Sequence, residues 1–378
     1  MRQKIKNFLN RLLTAETSYS RWCKVVLITC ISVIAATVLL VFLVDPHYRY
    51  HKPLFYDTVY HKAYATVPGL LKFHDYDLLM LGTSMVRNFF ISDIERAFGG
   101  KAFKISAAGG SIKDLRTFFE LAAKEKGDRL KRVVFSLDVY SLNKDRHSCA
   151  EYDYLYSDGH GEDYRYFFSR DTFSTMIYLL KRKFRPKRAR IHETNPDRMF
   201  AKEYDGSRYS LREVVSDAAG CIRIHHTPAP YDPAISEKSL REELLPIFDE
   251  NPQISFTVYL PPYHIYTYCL SEHFGEADAL IKQRTTVLKE LLKRKNVKLY
   301  DFQTDRALVC DASFFGDIQH FSSRAAKIVL DSLQADRRRL LTEADILKNE
   351  AELRTLTAEK MADFRKDLDE YSRTRRKK

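Results

Sequence analysis

The sequence predicts an α/β protein with a mostly parallel, five-stranded sheet, one N-terminal membrane-spanning helix and one long C-terminal helix. Three observations predict it. Residues 25–44 carry no charge. From residue 78 onward, short apolar runs alternate with amphipathic stretches of helical period. Residues 336–378 contain neither Gly nor Pro and are densely charged.

The apolar run comes first. Twenty residues at about 1.5 Å rise each cover a hydrocarbon core of about 30 Å. A buried soluble helix has no need to be apolar all round at a chain terminus. A cleaved signal peptide is the closer rival, but its apolar region is shorter and ends in small residues. Here the run ends Phe42, Leu43, Val44, Asp45, Pro46, which reads as an uncleaved signal anchor. Arg2, Lys4, Lys6, Arg11, Arg21 and Lys24 precede it against one acid, Glu16, whereas residues 45–60 hold only Arg49 and Lys52. The positive-inside bias therefore predicts a cytoplasmic N-terminus and an extracytoplasmic main domain at the cell membrane.

Residues 78–81, 102–105, 133–139, 254–260 and 297–302 read as strands. Helical patterns cover 112–126, 278–295 and 323–334. Strands alternating with helices imply βαβ units and a parallel sheet. The gap between the third and fourth strands is too long for one crossover, so 144–250 reads as an insertion. It carries Lys181, Arg182, Lys183, Arg185, Lys187, Arg188 and Arg190, either a docking site for anionic polymer or headgroups, or a solvated helix end. In the tail, Leu340, Leu347, Leu353, Met361, Phe364, Leu368 and Tyr371 recur at loosely helical spacing, which predicts a long exposed helix, either a self-association arm or, since the heptad is imperfect, a lone charged helix.

The chain divides by this pattern into a basic N-terminus (1–24), the span (25–44), a juxtamembrane linker (45–74), an α/β domain (75–334) and the tail (335–378). The formal charge of +12 suggests an anionic neighbour. The span and outward topology argue against nucleic acid. Cys149, Cys221, Cys269 and Cys310 allow two disulfides or four thiols, and their spacing is too wide for a metal cluster of the CxxC kind. His160, His225, His226 and His264 read as exposed or structural. No phosphate-binding glycine motif appears, and no cofactor or metal is expected.

Three short motifs carry chemistry. Gly82-Thr83-Ser84 ends the first strand, and ligands of open α/β sheets bind beyond the strands' carboxyl ends. Ala108-Gly109-Gly110-Ser111 follows the second strand; a glycine lets a backbone N–H approach a reacting oxygen, while the plainer reading is a helix cap by Ser111. Asp317-Ile318-Gln319-His320 follows the fifth strand. A serine hydroxyl needs a base such as imidazole, and a carboxylate fixes that imidazole's tautomer. Ser322 or Ser323 is placed to cap the next helix.

A serine after strand one, a glycine after strand two and DxxH after the last strand resemble the block order of the SGNH (GDSL) hydrolases. The resemblance covers about residues 75–143 and 254–334, and is greatest to membrane-anchored, envelope-facing members similar to the DltD-type and alginate O-acetylation proteins. It rests also on Gly82-Thr-Ser-Met-Val-Arg-Asn-Phe, Val133-Val-Phe-Ser-Leu-Asp-Val-Tyr and Leu260-Pro-Pro-Tyr. It implies a flavodoxin-like three-layer sandwich, with Ser84, Asp317 and His320 as the catalytic set and the N–H groups of Ser84 and Gly109 as the oxyanion hole. One block departs. The family's third block offers an Asn side chain, and here the strand ends Ser136-Leu137-Asp138. Arg87 and Asn88 are candidate substitutes, and Asp138 either holds a substrate hydroxyl or pairs with Arg87 for structure. The implied activity is a serine esterase or O-acyltransferase on acylated envelope carbohydrate or anionic polymer. The alternative is a silent SGNH-like module that binds polymer or serves among the partner proteins of an envelope modification complex.

Overall fold

The computed structural model describes residues 3, 19–60, 62–157, 159–184, 194–200, 208–225 and 231–376. Arg2, Lys4, Lys6, Arg11 and Glu16, with Arg185, Lys187, Arg188, Arg190 and His226, lie outside them.

In chain order the elements used below are α1 (Tyr19–Val44), α2 (Ala63–Phe73), β1 (Leu78–Thr83), α3 (Ile91–Phe98), β2 (Ala102–Ala107), α4 (Ile112–Lys126) and β3 (Arg132–Ser136). Then come α5 (Asp163–Phe168), α6 (Arg170–Phe184), α7 (Leu211–Arg223), β4 (Ser255–Leu260), α8 (Tyr266–His273), α9 (Ala277–Leu292) and β5 (Val297–Asp301). Last are α10 (Ser323–Gln334), β6 (Arg339–Leu340) and α11 (Glu343–Arg376).

The chain forms two compact units. The smaller holds residues 1–56 with 159–187. Its α1 is long and apolar enough to cross a membrane. The end of α1 is closed by side chains: Tyr56 Oη donates to the Val44 carbonyl (2.7 Å), and His51 Nε2 lies 2.7 Å from the Phe42 carbonyl. These satisfy carbonyls that a helix C-terminus otherwise leaves unpaired. Buried Asp45 accepts the N–H groups of Arg49, Tyr50 and His51 and the Tyr166 hydroxyl of α5. Segment 159–187 of the expected insertion thus belongs with α1.

The larger unit, residues 57–158 and 188–378, holds the sheet. Its order is β2-β1-β3-β4-β5-β6. The first five strands pair in parallel and β6 is antiparallel to β5, so the sheet has six strands rather than five. Strand β1 is buried along its whole length, as a strand covered on both faces must be.

Two further expectations are corrected. The linker 45–74 contains α2, whose Val67, Leu70 and Leu71 are buried. The tail is not a lone exposed helix: Ile346, Leu353, Leu356 and Phe364 of α11 are fully buried. Its polar side chains are engaged too. Arg306 pairs with Glu352 and Glu359, Arg354 with Asp278, and Tyr266 donates to Asp367.

Candidate functional site

Parallel pairing brings the carboxyl ends of the strands to one edge. Thr83 is in register with Ala107, Ser136 with Tyr259, and Leu260 with Asp301. Each motif follows one of these ends.

Ser84 opens a 3-10 turn, Ser84–Val86, directly after β1. Gly82 belongs to the strand rather than to a turn. A Cβ there would lie 2.6 Å from Val86 Cγ1 and 2.8 Å from Ser136 Cβ, so the close approach of β3 and the turn requires glycine. Beneath the turn, Lys104 of β2 is fully buried and donates to the carbonyls of Phe89 (2.5 Å) and Arg87 (2.9 Å). Burial pushes its pKa down to about 7, against an opposing pull from Asp197.

The second part is a small hairpin. Phe315 and Phe321 bridge antiparallel, and Gly316 N–H donates to the His320 carbonyl (2.9 Å). Its tip carries Asp317 and His320. Asn88 Nδ2 donates to the Phe321 carbonyl (2.6 Å), and Thr267 Oγ1 and His264 N–H donate to the Ile318 carbonyl. Ser322 caps α10 by accepting from Ala325 N–H. The hairpin is therefore pinned from two other segments of chain and continues into a capped helix.

His320 Nε2 lies 2.6 Å from Ser84 Oγ, and His320 Nδ1 lies 2.7 Å from Asp317 Oδ2. Asp317 Oδ1 accepts the N–H groups of Gln319 (2.8 Å) and His320 (2.7 Å). Burial raises the pKa of Asp317, but the hydrogen bond and charge of His320 and these backbone donors outweigh it and leave the carboxyl below its ordinary value. An ionised carboxylate only accepts, so Nδ1 carries the proton and Nε2 is left to accept from the serine. The arrangement can deprotonate Ser84 Oγ during attack.

The third part is the loop after β2. Gly109 is exposed and has φ of +69°, a left-handed conformation that favours glycine. The N–H groups of Ala108 and Gly110 are committed to the Ser106 and Ala107 carbonyls. Ser111 and Asp114 form a reciprocal capping box at the start of α4, so the serine there is a cap.

Of the substrate-side candidates, Arg87 is half-buried and stands three residues past Ser84. Asn88 is 8% exposed, and its amide is engaged by the hairpin. Asp138 is a buried acceptor. It takes hydrogen bonds from Thr83 Oγ1 (3.0 Å), Tyr263 Oη (2.5 Å) and Tyr140 N–H (3.2 Å). Burial and the Asp138 charge push the Tyr263 phenol well above its ordinary pKa, which keeps it a donor. Asp138 thus braces the residue that precedes Ser84.

Sequence reasoning missed Asp217 on α7. Its Oδ2 accepts weakly from Ile318 N–H (3.5 Å). Burial, then the charge of Asp317, raises its pKa. No motif surrounds it. Lys104 did carry a signal, a lone cation inside an apolar strand run.

Asp114, His147 and Cys149 bring ligand atoms within 4.8 Å of one another. Asp114 already accepts from Ser111 and Cys149 N–H groups, and burial pushes the Cys149 thiol far up, so this trio is built as a capped turn. All six cysteines are free thiols. His264 is buried, and its pKa is pushed down to about 3 by burial. His160 pairs with Asp163.

In comparisons with known proteins, no family model matches the chain and no curated relative matches it.

Proposed function

We propose that the chain is a membrane-anchored serine esterase or O-acyltransferase of the SGNH kind, with its α/β unit outside the cytoplasm. The observation that carries this reading is the unbroken relay from Ser84 Oγ through His320 to Asp317, whose members stand 236 and three residues apart. The strand order β2-β1-β3-β4-β5 supports a flavodoxin-like three-layer sandwich, with the site at the strands' carboxyl edge. The charge-free run 25–44 of α1, with the basic residues before it, supports a cytoplasmic N-terminus.

Ser84 Oγ attacks an acyl carbonyl carbon while His320 Nε2 takes its proton. The N–H groups of Ser84 and Gly109 hold the carbonyl oxygen as it becomes negative. The tetrahedral adduct expels the alkoxide, which takes the proton from His320, leaving an acyl-serine. Water or a sugar hydroxyl then gives its proton to His320 and attacks the acyl carbon, and Ser84 leaves with that proton. The substrates are acylated envelope carbohydrate or polymer.

Ser84→Ala is expected to lower ester turnover by about 10³-fold or more and to abolish labelling by a fluorophosphonate, with the fold unchanged by circular dichroism. Undiminished turnover or labelling in that variant refutes the assignment. One observation favours a second reading, a silent binding module: the third-block side chain, Asp138, is committed to structure and supplies no oxyanion donor. Failure of the wild-type chain to label would favour it.

A further inference from the structure

We propose that α6 lies in the bilayer interface beside the end of α1, with its outer face in the acyl-headgroup boundary and its basic end on anionic headgroups. This rests on the reading of α1 as a spanning helix.

The smaller unit fixes the depth of α6. The charge-free run ends at Val44, so Asp45 stands where a spanning helix leaves the hydrocarbon. Asp45 is completely buried and accepts the Tyr166 hydroxyl of α5 at 2.6 Å. His47 Nε2 lies 3.2 Å from Asp171 in the first turn of α6. Tyr50 stacks on Phe167, with ring centres 5.7 Å apart. Both helices are therefore tied to the exit point of the span.

The outer face has interfacial chemistry. The inner face of α6 buries Thr172, Thr175, Met176 and Leu179. On the other side, Ser174, Ile177, Lys181 and Phe184 recur at helical spacing and are all exposed. Ile177 is 47% exposed and Phe184 77%, and Phe168 of α5 is 48% exposed. Lys181, Arg182 and Lys183 occupy the last turn, where they also suit the helix dipole. Cations among exposed apolar side chains fit a surface that offers both acyl chain and phosphate. A soluble anionic polymer would use the cations and leave Ile177 and Phe184 in water.

The experiment uses the full chain in vesicles. Trp22 is the one tryptophan, so Trp22→Phe gives a silent background. Ile34→Trp reports the span, and Ile177→Trp and Phe184→Trp report α6. Vesicles contain phosphatidylcholine brominated high on the acyl chains, with or without phosphatidylglycerol. Quenching is expected at all three positions. At 177 and 184 it should rise about twofold with phosphatidylglycerol and lose that gain in Lys181→Glu/Arg182→Glu/Lys183→Glu. Quenching at 34 alone overturns this proposal and leaves the span intact. Quenching at none removes the span and the proposal together. No dependence on phosphatidylglycerol overturns the headgroup assignment. Protection of 177 and 184 from both bromine and aqueous acrylamide assigns the face to another protein chain and overturns the proposal.

Discussion

Replacing Asp138 by Asn separates two accounts of this site. By resemblance alone, Asn restores the missing third-block amide and adds an oxyanion donor, worth about 3–4 kcal/mol or 10²–10³ in rate. The geometry gives the opposite answer. Asp138 receives three hydrogen bonds, from Thr83, Tyr263 and Tyr140, and is 7% exposed. Bonds to a charged acceptor contribute about 1.5–3 kcal/mol each and neutral ones about 0.5–1.5. In Asp138→Asn, one carboxylate oxygen becomes an NH₂ group facing Thr83 Oγ1, whose hydroxyl must reverse to accept. Three bonds weakened by about 1 kcal/mol each, offset in part by removing a buried charge, leave a net loss of about 1–2 kcal/mol. That corresponds to a drop in melting temperature of about 2–3 °C for a unit of this size. Because Thr83 positions Ser84, turnover of a p-nitrophenyl ester should fall rather than rise. Thermal melts in detergent followed by circular dichroism, with turnover measured on the same preparation, check both parts. A tenfold gain in turnover at unchanged melting temperature would refute the structural role.

Two more outcomes follow from the same contacts. Asp217 has a raised pKa, so its stability contribution is present while it is neutral at low pH and is lost as pH rises through its folded value; Asp217→Asn should stabilise the fold at pH 7 and change nothing at pH 3. Asp317 is shifted the other way. Its contribution is present above its unfolded pKa and lost as pH falls through the folded value, so Asp317→Asn should destabilise at pH 7 and converge with wild type in acid. Urea unfolding at a series of pH values tests both, and curves of the same sign for the two variants would contradict the assignment. For the tail, Phe364→Ala should cost about 3–5 kcal/mol, because Phe364 is fully buried and packs edge-on to Tyr266 at 5.1 Å. A cost under about 1 kcal/mol in urea unfolding would mean that α11 does not dock.

The core strands were legible because burial on both faces demands continuous apolar runs, and 78–81 falls inside observed β1, Leu78–Thr83. Strand β6 was not, since two residues, Arg339 and Leu340, carry no periodicity. The tail misled for a physical reason. Its buried stripe, Ile346, Leu353, Thr357 and Phe364, repeats at seven, four and seven, but the exposed Leu347 distorted that spacing. Its charges resemble a solvated face, yet several meet partners on the α/β unit: Glu352 with Arg306, Glu350 with Thr285, Arg354 with Asp278. Asp217 sits in an insertion without a motif, so only packing reveals it. Tyr263 stood within the Leu260-Pro-Pro-Tyr run, but its partnership with Asp138 needed coordinates.

The order of the motifs carried more information than any one of them. A parallel sheet sends every strand's carboxyl end to the same edge, so residues placed just after strands share a location whatever their separation in sequence. Order does not fix distance, however. The 2.6 Å between Ser84 and His320 depends on groups outside the relay itself: Lys104 holding the Arg87 and Phe89 carbonyls, Asn88 holding Phe321, and Asp138 holding Thr83. Each uses a polar side chain that is at least nine-tenths buried to fix one strand end relative to another. Such groups are costly unless fully paired, and removing one partner leaves the other buried and unsatisfied. The polar residues beneath the edge thus position the relay, and Asp138 serves there as an acceptor for Thr83, Tyr263 and Tyr140.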